Sequence, residues 1–197
     1  EMAVEQGLEL LRLVRLYDSE PLLVNFLVAV AVREYACRIL YDGLNAGPMP
    51  PQVHAEVERE LALHDNPQRI LHAVKTDRAY SASVIAELAS HPPAGSPQPP
   101  WSYVVAWPVK RHFVGALEYI DPQLTLIETS WPRLNRSFGR TGAPERSGLG
   151  PLADLLAPAI QAAYGAERKI VGVMRSLRVF NALCAFAEKN GREAKGL

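Results

Sequence analysis

Leu22-Leu23-Val24-Asn25-Phe26-Leu27-Val28-Ala29-Val30-Ala31-Val32 is the longest apolar run in the chain, and wound as a helix it is apolar on every side. A helix of that kind belongs among other helices, so this stretch is read as the centre of an all-α core. The residues before it, Asp18-Ser19-Glu20-Pro21, have the chemistry of a helix start, with a side-chain oxygen to cap and a proline for the first turn. The helix is expected to run to about Tyr41. Glu34 and Arg38 form an i to i+4 pair on it, and Gly43, Gly47, Pro48, Pro50 and Pro51 end it.

Working outward, Val4, Leu8 and Leu11 repeat at helical spacing with Glu5, Glu9, Arg12 and Arg15 on the other side, an amphipathic first helix. After the prolines, Val53, Val57 and Leu61 make a narrow stripe on a third helix that reads as a surface helix. Asn66 can cap and Pro67 can open a fourth, carrying Ile70, Val74, Ser81, Ile85 and Leu88 on one face. Pro151 can open the last helix. There Ile170, Val173, Leu177, Phe180, Cys184 and Ala187 share a face expected to pack on Leu22–Val32, and Asn190-Gly191 supply the stop.

Between these lie a Pro-rich loop at 91–100, a Trp-rich segment at 101–138 that prolines break into irregular pieces, and a Gly-rich loop at 139–150. The expectation is one all-α domain over 1–197, an irregular bundle of six to eight helices. The opening on Glu1 rather than Met points to a chain trimmed at one or both ends.

The 197 residues are 48% hydrophobic, enough for a sizeable core. Lys plus Arg equals Asp plus Glu at 21 each, so no net field draws in a nucleic acid, and none is expected as a partner. The run Leu22–Val32 is shorter than the roughly 20 residues that span a bilayer, which predicts no transmembrane segment. Cys37 and Cys184 are the two cysteines, too few for a disulfide scaffold. They read either as two buried thiols or as one long-range disulfide.

Catalytic and metal-binding patterns are missing from the sequence. His54, Glu58, Glu60 and His64 share a helix, but residue 60 lies about 600° of rotation beyond 54, so the two His/Glu pairs diverge by roughly 120°. They read as a solvated charged face, with no metal. No Gly-x-Ser-x-Gly elbow occurs, and Gly139, Gly142, Gly148 and Gly150 match no phosphate-binding fingerprint. No cofactor is expected, and enzymatic activity is not favoured.

What remains is surface. Trp101, Trp107 and Trp131, with His112 nearby, place aromatics on an irregular scaffold suited to a ligand or partner surface. Arg133, Arg136, Arg140 and Arg146 against the lone Glu145 make the adjoining loop basic. The favoured reading is a non-enzymatic structural or protein-interaction module with an unidentified protein partner. The alternative is a small-molecule-binding protein or enzyme whose pocket lies beside the 101–138 aromatics, with Glu118 as a nearby carboxylate.

The words Ser176-Leu177-Arg178-Val179-Phe180-Asn181-Ala182-Leu183 and Ala185-Phe186-Ala187-Glu188-Lys189-Asn190-Gly191-Arg192-Glu193 resemble those of a group of uncharacterised all-helical bacterial proteins that are generally predicted to be exported. Leu13 to Asp18, Glu20-Pro21 and Val28-Ala29-Val30-Ala31-Val32-Arg33 are also similar. The resemblance implies a helical fold and a place in the cell envelope or periplasm, with no known activity. In that group a short tail follows, which implies that the chain continues past Leu197.

Overall fold

The computed structural model describes residues 2–19, 22–66, 68–90, 111, 114–115, 117–118, 124 and 151–191. None of them is in a strand, and five helices have described bounds: α1 (Met2–Asp18), α2 (Leu23–Asn45), α3 (Pro51–Leu63), α4 (Arg69–Ser90) and α5 (Pro151–Asn190). The all-α expectation holds at that level. The Trp-rich segment and the two loops lie outside the described residues, apart from isolated positions between 111 and 124.

The chain divides into two compact units, one of Glu1–Ile70 with Tyr164–Leu197 and one of Leu71–Ala163. In the second, Ala73, Val74, Ile160 and Ala163 are buried. The first holds the candidate site.

Within that first unit, α1 and α2 pack as an antiparallel pair. Gly7 lies against Leu40, where an added Cβ would come within 2.7 Å of Leu40 Cγ and 3.3 Å of the Ala36 carbonyl oxygen. Gly43 faces Val4 with the same 2.7 Å limit, to Val4 Cγ2. Two glycines therefore set how closely these helices approach. Val4, Leu8, Leu11 and Val14 of α1 meet Phe26, Ala29, Val30, Ala36, Leu40 and Leu44 of α2 in the core, as the α1 spacing predicts.

Antiparallel to α5, α3 is held by ion pairs at successive turns. Arg178 Nη2 donates to Glu58 at 2.5 Å and Arg175 Nη2 to Asp65 at 2.8 Å. Further along, Asn181 Nδ2 donates to the His54 carbonyl at 2.9 Å, and Glu188 accepts from the Met49 amide at 2.8 Å. On its other side α3 meets α1 through Arg12, which pairs with Glu56 and lies 3.8 Å from Glu60. Along α2, α5 runs parallel: Lys169 Nζ sits 2.6 Å from Glu34, and the Tyr41 and Phe180 rings lie 4.9 Å apart further on.

Several expectations are corrected. Leu22–Val32 is not enclosed on all sides, since Phe26, Ala29 and Val30 are buried while Val24, Leu27 and Val28 are exposed. Asp18 does not cap α2. The N-cap position is Leu22, without a side-chain cap, and Asp18 pairs instead with Arg33. Glu34 reaches Lys169 rather than Arg38. The supposed solvated face of α3 is largely interior, with His54, Glu60 and His64 buried along with Val57 and Leu61. Local signals held at the helix ends: Asn66 accepts from the Gln68 amide at 3.0 Å ahead of α4, and Gly191 takes φ of 59° where α5 stops.

The expectation of no transmembrane segment is also overturned. Ala162–Asn190, a 29-residue part of α5, contains an 18-residue window of mean hydropathy 1.5, long and apolar enough to cross a membrane by length and composition. Arg175 and Arg178 interrupt its apolar run, whereas the mean over a helix of this length averages across them. In the structure 28% of that window is buried, and both arginines are paired to carboxylates near the C-terminal end of α3.

Candidate functional site

Two arrangements in the first unit are built beyond what packing requires. One is a charged cluster where α1 ends, α3 ends and α4 begins. Arg33 of α2 is fully buried. Its Nη2 donates to both carboxylate oxygens of Asp18, Oδ1 at 2.5 Å, and its Nε donates to His64 Nδ1 at 3.3 Å. Because Nδ1 accepts, the neutral His64 ring carries its proton on Nε2.

Arg69 joins from the first turn of α4. Its Nη2 donates to the His64 backbone oxygen, its Nη1 lies 3.8 Å from Asp18, and its Nε lies 3.8 Å from Glu167 Oε1 of α5. Glu167 is 3% exposed and His64 1%. Burial, followed by the charges of Arg33 and Arg69, pushes His64 down from 6.5 to about 4, so the ring is neutral at physiological pH. Burial holds the Glu167 carboxyl above the usual carboxylate range against the opposing pull of Arg69 and Arg33.

Among the described residues, Arg33 Nη1, His64 Nε2, Arg69 Nε and both oxygens of Glu167 find no hydrogen-bond partner. A dry, unpaired buried polar group costs about 1–3 kcal/mol, more when charged. Several at one place exceed what a folded core ordinarily carries.

The second arrangement is a groove of about 950 Å³ between α2 and α5. Cys37 and Leu177 are its buried floor, Tyr35, Tyr41, Val173 and Phe180 its walls, and the Glu34–Lys169 ion pair and Arg38 its rim. Among the described residues Arg38 has no ion-pair partner. Val24, Val28 and Ala31 extend the exposed stripe of α2 that leads to Tyr35.

No family model, curated protein or solved structure matches this chain. The site is therefore read from its own residues. Trp101, Trp107, His112, Trp131, Arg133, Arg136 and Arg140, the surface proposed from sequence, lie outside the described residues. Cys37 and Cys184 are free thiols. Burial pushes Cys37 up to about 12, so it is protonated and inert as a nucleophile. It faces Val173 and Leu177, whereas Cys184 lies with Leu44 and Asn45 further along the helices.

The two α3 histidines go to different places. His54 Nδ1 is 2.7 Å from Asn181 Oδ1 and its Nε2 is 3.1 Å from Glu188, a clasp between α3 and α5. His64 belongs to the Arg33 cluster. Arg33 and Glu167 carried one usable sequence signal, an ionisable residue in an otherwise apolar stripe, and for Arg33 that stripe is the one beginning at Leu22.

Proposed function

We propose that this chain is a non-enzymatic helical interaction module, and that its α2–α5 groove takes one amphipathic helix of a protein partner. The observation that carries the reading is the composition of the groove: three aromatic rings and a valine around a buried apolar floor, open on one side, with Arg38 on the rim unpaired among the described residues. Aromatic anchors of this kind dominate interface energetics. Apolar troughs between parallel helices accept a helix through residues at i, i+3, i+4 and i+7. The α2 wall from Ala31 to Tyr41 is ~15 Å long at 1.5 Å per residue, room for about three turns of a partner helix. Arg38 asks for an acidic residue on that helix where it passes the rim. Placement in the cell envelope is part of this proposal and rests on the resemblance of the C-terminal words alone.

The test is fluorescence anisotropy of the full chain with designed helical peptides that carry leucines at i, i+3 and i+7 and either Glu or Lys opposite Arg38. The Glu peptide is expected to bind and the Lys peptide to bind more weakly, with Arg38→Glu inverting the order. Tyr35→Ala is expected to weaken binding by about 2 kcal/mol, roughly thirtyfold. Equal binding of a scrambled peptide would overturn the reading, as would association with lipid vesicles in place of either peptide.

A further inference from the structure

The Arg33 cluster lies apart from the groove and poses a separate chemical question. Its unpaired donors are guanidinium and imidazole N–H groups at Arg33 Nη1, Arg69 Nε and His64 Nε2, and its unpaired acceptors are the two oxygens of Glu167. These side chains are interlocked: Arg33 Nε donates to His64, Arg69 donates to the His64 carbonyl, and Arg69 Nε stands 3.8 Å from Glu167. The unpaired donors and the unpaired carboxylate therefore belong to one connected set of side chains.

Charge narrows the choice. Arg15, Arg33 and Arg69 act on His64, and Asp18 opposes them. With Glu167 added, and with Asp65 acting on Arg69, three guanidinium groups stand against three carboxylates before Arg168 is counted. Arg168 lies beside Glu167 as well, engaged with the Tyr164 hydroxyl at 2.8 Å. The balance favours an anion, and fixed guanidinium forks suit oxyanions. An oxyanion that only accepts, such as sulfate, satisfies the three donors and sets like charge against Glu167. A protonated phosphate satisfies both sides, because its P–O oxygens accept while its P–OH donates to a carboxylate.

We propose that this cluster is a binding site for inorganic phosphate in its protonated forms, with Arg33, His64 and Arg69 donating to the phosphate oxygens and Glu167 accepting a hydrogen bond from the phosphate hydroxyl. Three of the four side chains are more than nine-tenths buried, so the guest is desolvated and discrimination is sharp. Asp18, with 26% of its side chain exposed, and Arg69, with 10%, are the members of the cluster nearest solvent.

Isothermal titration calorimetry of the full chain at mildly alkaline pH, with inorganic phosphate and with sulfate, tests the assignment. Phosphate is expected to bind at least tenfold more tightly than sulfate. Glu167→Gln is the decisive variant, because the amide brings an N–H donor in place of an acceptor-only group. Phosphate binding should weaken, sulfate binding should strengthen, and the preference should fall by at least tenfold. Arg69→Gln should lower the affinity for both anions, with helical circular dichroism confirming that the variant is folded. Absence of phosphate binding to the unmodified chain overturns the proposal, and so does a preference unchanged in Glu167→Gln.

Discussion

At the start of α2, Val24 is 62% exposed and Val28 41%, while further along the same helix Arg33 is fully buried. Residue type alone predicts the reverse order. The difference comes from what surrounds each position. Arg33 lies at the junction of the α1 and α3 ends, where Asp18 and His64 supply its hydrogen bonds. Val24 and Val28 lie on the outward stripe of α2 that continues to Ala31 and Tyr35. Burial in this bundle follows position among the helices, and a buried charge is tolerated where its partners are already in place.

The largest expected effect tests the buried half of that comparison. Arg33→Met leaves Asp18 and Glu167 facing fewer cations, and breaking a buried pair in this way costs on the order of 3–5 kcal/mol. A urea midpoint within error of the unmodified chain would show that the cluster carries no net stability. Adding Asp18→Asn to the same variant should recover part of the loss, because the uncompensated carboxylate is then gone.

Next is the response to pH. Below 6.5 the unfolded chain binds a proton on His64 that the folded chain refuses until about 4. Stability is therefore intact above 6.5 and drains away as pH falls to about 4, by about 3 kcal/mol in all. Glu167 works in the opposite direction: its folded carboxyl is raised, so its burial favours the fold in acid and costs stability as pH rises. Urea midpoints measured between pH of about 8 and about 4 should fall less steeply in His64→Gln. In Glu167→Gln they should fall more steeply. Parallel curves for all three proteins would break the assignment.

A smaller effect sits at the α1–α2 contact. Gly7→Ala gains about 1 kcal/mol of helix propensity but places a methyl 2.7 Å from the fully buried Leu40 side chain and 3.3 Å from a backbone oxygen. Overpacking costs of about 1–3 kcal/mol outweigh the gain, so a modest fall in Tm is expected. A raised Tm would mean that the helices separate without penalty. Smallest of all is Val24→Ser at the exposed start of α2, expected to change stability by no more than about 0.5 kcal/mol. A larger loss there would show that the outward stripe is covered.

The parts legible in sequence are those decided by local chemistry. The Val4, Leu8, Leu11 spacing, the Asn66 turn and the Gly191 stop each depend on a few neighbouring residues, and each is found where expected. The cluster was not legible because it is assembled from five helices. Nothing near His64 in sequence reveals that Arg33 will donate to it. His54 and Glu60 were read as solvated because a charged face on an isolated helix points to water, whereas here α5 covers one and α1 the other. The candidate span in α5 is hidden in sequence for a related reason, since Arg175 and Arg178 interrupt its apolar run and their partners Asp65 and Glu58 lie more than a hundred residues away.

The order of the chain also has a temporal side. α1 and α2 join through a short connection, so their pairing closes a small loop and is entropically inexpensive. The ties of α5 to α2 and α3 span far longer separations, 135 residues from Glu34 to Lys169 and 110 from Asp65 to Arg175. Contacts that distant form slowly. During folding, or on a ribosome, the α1–α2 hairpin is therefore expected to form before α5 arrives, with Asp18 available to Arg33 while Glu167 is still to come.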